Sequence, residues 1–363
     1  TYLMYRGRHR HEPQRDTTLT RIASTLMRHA VMGPRELFYA DVFASRQTGC
    51  RSNLGMPGVR DRHSGCVGAY LVEHDLFDFM LLSLPDNDWR SHRSGPDGQL
   101  RSIALADIQL ARVMNAAGGL TRFLEEHAVI VMADHSQAPV SAKISLQEHL
   151  DGYRVLPPGP SGSRGAREGQ RPSLAVCPSQ RAAMVYVLEE DQRERISPEL
   201  AQRALEVDGV ELAMWMRLDA HGDEQEAVVA GREGGELRFC PGGDIEDLRG
   251  RTWSVEGDLS VLGGRAADGR FQTPTHPDAL DRAWSALTCP NSGDVLLSAA
   301  PGSEFVDLGG QAHVGGGSHG SLRAEDSLGA LIVCGCEPER LPQQWAIRDV
   351  AALVSGHFGI ALG

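Results

Sequence analysis

The sequence predicts an α/β fold, on three short apolar runs that read as buried strands, a helical spacing between two of them, and charged or metal-capable residues just beyond the strand ends. Residues 76–84 run to Pro85 without alternation, residues 128–133 run to Asp134-His135, and residues 328–334 run to Gly335. Such runs suit strands covered on both faces of a sheet. Between the first two, Ile103, Leu105, Ile108, Leu110 and Val113 recur at roughly helical spacing, and Gly118-Gly119 supplies a stop. Strand, helix, strand implies a parallel pair, and open α/β sheets bind ligands beyond their strand ends.

After this first core segment, residues 157–172 are rich in Pro, Gly and Ser and read as a linker. Residues 175–188, the helix-like 197–207 and the apolar 210–218 suggest a small α/β insert, followed by acidic, Gly-rich turns to about residue 268. Core-like material returns at Ala283, with a strand expected at 293–298 and a closing helix at 345–354. The division expected is therefore 1–150 as the first part of the core, 151–285 as linker and insert, and 286–363 as the return to the core.

Composition narrows the function. The 363 residues carry 36 basic against 48 acidic side chains, a net charge of -12, and 41% hydrophobic residues. A core of that size needs no disulfide staples. The acidic balance argues against a nucleic-acid partner, whose footprint is a basic patch, and no run approaches the roughly 18–20 apolar residues of a membrane span. Seven cysteines, odd in number and spread along the chain without a Cys-x-x-Cys pair, read neither as a secreted disulfide framework nor as a zinc ribbon. Cys334-Gly335-Cys336 reads as a strand end with two buried thiols. Compartment and oligomeric state stay open.

Three clusters carry candidate chemistry. Asp88 and His92, in the stretch that follows Pro85, stand four apart, so one helical turn puts both on one face. A carboxylate and an imidazole so spaced can share one divalent cation. Asp134-His135 stands directly after an apolar strand. His319 lies in Gly315-Gly316-Gly317-Ser318-His319-Gly320-Ser321, where glycines allow backbone to approach a ligand closely. Singly, Asp86 or Asp88 reads more readily as a helix cap, Asp134-His135 as a turn, and His319 as a surface histidine. Together they supply two Asp and three His, a set that suits two adjacent cations.

Asp88-x-x-x-His92 with Gly95-Pro96-Asp97, then Ala133-Asp134-His135-Ser136, then Gly317-Ser318-His319-Gly320-Ser321 with Asp326 before a final apolar strand, resembles the alkaline phosphatase superfamily. Within it the sequence is most similar to the type I phosphodiesterase/nucleotide pyrophosphatase group, over residues 76–140 and 290–335. The resemblance implies a three-layer αβα fold with a mostly parallel central sheet, interrupted here by the small insert. It implies two divalent metal ions, zinc first and manganese in some relatives. Asp88, His92 and His319 would hold one, and Asp134 and His135 part of the second. The implied activity is hydrolysis of phosphodiester or pyrophosphate bonds in a small, nucleotide-like phosphoester. The alternatives are a phosphomonoesterase or phosphonate hydrolase on the same scaffold, or a metal-binding fragment without catalysis. Asp326 or Asp97 is expected to orient the His rings.

The family pattern also asks for a further Asp at the end of a first core strand, and for a Thr or Ser nucleophile at a helix N-terminus. Neither is found. Asp16-Thr17-Thr18 reads better as a helix cap ahead of Leu19, Ile22 and Leu26. With Thr1 at the start, the chain is expected to be the later part of a longer protein, and no catalytic nucleophile is assigned within it. Cys177-Pro178-Ser179-Gln180-Arg181 has the ingredients of a sulfatase nucleophile motif, but its proline is one position early and it follows two metal motifs.

Overall fold

The computed structural model describes residues 48–50, 59–157, 172–218, 225–338 and 342–361. Asp16-Thr17-Thr18, the Arg-rich start and most of the Pro/Gly-rich linker lie outside the described residues. The chain divides into two units, one of residues 1–90 with 97–128, the other of residues 91–96 with 129–363.

The first unit is helical: α1 (Arg60–Glu73), α2 (Asp86–Ser94, which passes to the second unit after Arg90), α3 (Gln99–Ala116) and α4 (Leu120–Glu126). The predicted helix is α3, and its stop is as expected, because Gly118 and Gly119 take φ values of 98° and 113° that side chains avoid. The start of α2 is fixed by Asp61 and Asp86, each accepting the other's backbone N–H, at 2.9 and 3.2 Å. A disulfide joins Cys50 to Cys66 on α1. Residues 76–84 are not a strand. Among the described residues they find no ladder partner, Phe79 is 58% exposed and Leu81 83%, and an apolar run without a neighbouring strand has nowhere to place its backbone donors and acceptors.

The second unit holds the strands: β1 (Val129–Met132), β2 (Ala138–Pro139), β3 (Ala142–Ile144), β4 (Leu174–Ser179), β5 (Ala182–Val187), β6 (Val210–Leu218), β7 (Gln225–Gly231), β8 (Glu236–Glu246), β9 (Thr252–Gly257), β10 (Arg265–Ala267), β11 (Arg270–Gln272), β12 (Val295–Ala299), β13 (Ser303–Phe305), β14 (Gly317–Ser318) and β15 (Leu331–Cys334). Its helices are α5 (Arg193–Leu205), α6 (Ala279–Leu287), α7 (Ala324–Ser327) and α8 (Asp349–His357). The main sheet has the order β10-β11-β8-β7-β6-β12-β5-β4, with β9 beside β8.

Among the described residues every pairing in this sheet is antiparallel except β11 with β8. The expected mostly parallel sheet is thereby corrected to a mixed one. The reason is connection length: two residues join β4 to β5, and short links join β6, β7 and β8, whereas a parallel pair needs a crossover of about a dozen residues or more. The strands read at 128–133 and 328–334 are present as β1 and β15, paired with each other antiparallel. The stretch to about residue 268, read as turns, holds β7 to β10, and β11 follows directly.

Alternation along the central strands buries both faces of the sheet. Ala213, Trp215, Val228, Val295 and Leu297 pack with Leu200, Ala201 and Ala204 of α5. Leu212, Met214, Val229, Phe239 and Leu296 pack with Leu280, Ala283 and Leu287 of α6.

Candidate active site

Within the second unit, segments far apart in sequence meet around a row of imidazoles. β1 ends in Ala133-Asp134-His135. β2 pairs with β14 and so draws the glycine loop alongside, while Ser136 N–H donates to the Asp326 carbonyl at 2.8 Å. The last turn of α2 brings His92. The glycines of the loop are there for clearance: a β-carbon at Gly316 would collide with the His92 carbonyl oxygen, and one at Gly317 would lie 2.8 Å from the Ser91 carbonyl oxygen. Only bare backbone fits that close to α2.

The closeness has a chemical consequence. His92 Nδ1 lies 2.8 Å from the Gly317 carbonyl oxygen, and His135 Nδ1 lies 2.9 Å from that of Ser136. A carbonyl can only accept, so in each ring Nδ1 carries the proton and Nε2 the lone pair, the tautomer that ligates a metal. The His135 and His319 rings stack with centroids 3.5 Å apart, His319 is 5.3 Å from His92, and His92 is 4.2 Å from His313. Ligand atoms of His135 and His319 lie within 4.8 Å of each other. Imidazoles gathered so, two of them with Nε2 free of the proton, are a donor set that fits a divalent metal ion.

The structure thus brings His92, His135 and His319 together. Asp134 is mostly exposed, and its Oδ1 accepts the His135 backbone N–H at 3.0 Å and lies 3.6 Å from His135 Nε2. Asp88 is half-buried on α2, one turn before His92. Asp326 does not orient a ring, contrary to expectation. Its carboxylate pairs with the Arg181 guanidinium, both side chains being 0–1% exposed, and accepts Ser321 N–H at 2.8 Å. Burial pushes the Asp326 carboxyl above its ordinary value, against the pull of the Arg181 charge. Asp97 lies exposed in the turn Pro96–Gly98, in the other unit.

Glu304, His313, Arg181 and Gln180 carry the geometry and were given no site role from the sequence. Buried Glu304 on β13 accepts from His313 N–H at 2.5 Å, from His313 Nδ1 at 2.8 Å and from the Ser318 hydroxyl at 2.7 Å, so one carboxylate holds both ends of the glycine loop. Arg181 donates its backbone N–H to the His319 carbonyl at 3.0 Å, and its guanidinium donates to the Ser303 and Ala300 carbonyls at 3.1 and 3.0 Å. Gln180, beside it, directs its amide nitrogen to 3.5 Å from His92 Nε2. The sequence signal available for the last two was the two-residue gap between runs 174–179 and 182–187, a hairpin length.

No helix among the described residues is long and apolar enough to cross a membrane. The type I phosphodiesterase / nucleotide pyrophosphatase family model matches residues 21–235, a span that includes Asp88, His92, Asp134, His135 and Gln180 and ends before His319. No curated protein matches the chain. With more than half of its length matched and its histidines gathered at one site, the chain belongs to the type I phosphodiesterase / nucleotide pyrophosphatase family, hydrolases of the alkaline phosphatase superfamily.

Proposed function

We propose that the chain is a metal-dependent hydrolase of phosphodiester or pyrophosphate bonds in small, nucleotide-like molecules. It takes two divalent ions, zinc in preference to manganese. Asp88, His92 and His319 hold one, and Asp134 and His135 contribute to the second. The observation that carries this reading is the pair of carbonyl-fixed rings, His92 and His135, gathered with His319 in one unit. Asp134 adds a carboxylate oxygen 3.6 Å from His135 Nε2, and Asp88 shares a helix face with His92.

Bound divalent ions supply charge neutralisation at a phosphoryl group and lower the pKa of a hydroxyl or water. The protein's own part is orientation. The Gly317 and Ser136 carbonyls hold two rings in the ligating tautomer, Glu304 fixes the loop on which His319 stands, and Arg181 holds the His319 backbone. That pre-arrangement lessens the ordering needed when ligand arrives.

The reading predicts two divalent ions per purified chain. With no nucleophile assigned among residues 1–363, turnover of bis(p-nitrophenyl) phosphate by the chain alone is expected to be slow or absent. Any turnover should depend on metal and favour this diester over p-nitrophenyl phosphate. Turnover insensitive to chelator, or a preference for the monoester, would overturn it. His92→Ala should remove at least one ion, whereas His9→Ala and His11→Ala should leave metal content unchanged. Equal losses in all three would argue against the ligand set.

A further inference from the structure

Gln180 occupies the first position of the two-residue turn between β4 and β5, inside residues 151–285, and has a left-handed backbone with φ 60°. A β-carbon disfavours that region, so glycine, or asparagine among residues that carry a β-carbon, suits it better. The surroundings hold the strained residue in place. Its carbonyl accepts Phe305 N–H at 2.9 Å, the next carbonyl, of Arg181, accepts Ala299 N–H at 3.0 Å, and Arg181 is anchored by its buried ion pair with Asp326. A backbone so restrained fixes the Cα–Cβ direction of Gln180, and its amide nitrogen reaches 3.5 Å from His92 Nε2. Strain held by a rigid frame at a site of converging polar groups marks a working position.

We propose that Gln180 is a substrate-contact residue, its amide donating a hydrogen bond to a phosphoryl oxygen of the substrate. The proposal rests on the metal-dependent reading of His92. When the His92 Nε2 lone pair is engaged by a divalent ion, an amide donor 3.5 Å from that nitrogen no longer has the ring as acceptor. It would then be available to donate to a phosphoryl oxygen brought to that ion. The donor is neutral at all relevant pH, so the contact needs no protonation change. It would also give the β4–β5 hairpin a direct part in recognising the phosphoryl group, alongside the helix and loops that carry the histidines.

The test uses the full chain, zinc-loaded and desalted, with inorganic phosphate as the probe in isothermal titration calorimetry. Two variants are compared, Gln180→Gly, which relieves the backbone, and Gln180→Ala, which does not. A hydrogen bond to a charged acceptor is strong enough that its loss should weaken phosphate binding about tenfold or more in both. Zinc content should stay at the wild-type value, and the melting midpoint of Gln180→Gly should equal or exceed that of the parent. Phosphate affinity within about twofold of the parent, with zinc retained, would overturn the role of Gln180 and leave the metal-dependent reading intact. Loss of zinc together with phosphate in the variants would overturn it differently, by assigning Gln180 to the metal. A parent chain that takes up no zinc, or binds no phosphate when loaded, would overturn the functional reading and this proposal with it.

Discussion

Arg181 has its guanidinium shut away from water and spends its donors on one carboxylate and two carbonyls. Through its backbone it holds His319, and through Asp326 it reaches Ser321. Removing one partner of such a pair strands a charge in a low-dielectric interior. Asp326→Ala is therefore expected to lower stability by about 3–5 kcal/mol in urea denaturation. The double variant Arg181→Met/Asp326→Leu should recover most of that loss, since apolar residues of similar volume often replace a buried ion pair at no net cost. If the double variant is as unstable as the single one, the wider hydrogen-bond set of Arg181 matters more than the charge pair.

At the scale of elements, α8 shows how a short terminal helix is kept in place. Arg249 grips Asp349 at the helix start with two bonds, at 2.6 and 2.9 Å, and also donates to the Gln344 carbonyl at 2.8 Å. Arg348 reaches Asp278 and Asp281, at 2.6 Å each. The Arg249 hydrogen bond holds the Asp349 carboxyl below its ordinary value, burial opposes this, and the Ala346 N–H and the Arg249 and Arg348 charges add to the lowering. A carboxyl depressed on folding contributes stability above its unfolded pKa, near 3.9, and loses it as pH falls through the folded value. Burial raises Asp278 instead, against Arg348 and Arg249, so its contribution has the opposite sign. Asp349 belongs to the helix itself, so its own sign governs attachment. Amide exchange over residues 349–357, corrected for intrinsic rates, should quicken below about pH 4. Arg249→Ala should produce the same quickening at neutral pH. Exchange indifferent to both changes would show that packing alone holds α8.

For the whole molecule, ligand linkage offers a test that needs no turnover. An ion that binds the folded chain and not the unfolded one stabilises it by about 2.7 kcal/mol when free ion is 100 times its dissociation constant. For a unit of this size that is a rise of about 5–10 °C in the melting midpoint. Zinc should give such a rise over chelated protein in calorimetry, and the rise should shrink in His92→Ala. Identical midpoints with zinc and with chelator would remove the metal from the account.

The sequence by itself determined what depends on neighbours along the chain. The 3.6-residue spacing behind α3, the apolar runs of β1 and β15, the central strand β6, and Asp88 with His92 on one turn of α2 are all local patterns. It also brought forward the three histidines, because Asp-His and Gly-Ser-His motifs are short. It misread residues 76–84 because an apolar run becomes a strand only beside a partner, and it missed β7 to β11 because their Gly- and charge-rich stretches alternate around few large residues, such as Phe239 and Trp253. Tertiary structure alone decided the rest. Arg181 meets Asp326 across 145 residues of chain, His92 meets Gly317 across 225, and Gln180 meets His92 across 88. Those contacts are set by how the strands and loops close on one another, and no local spacing encodes that.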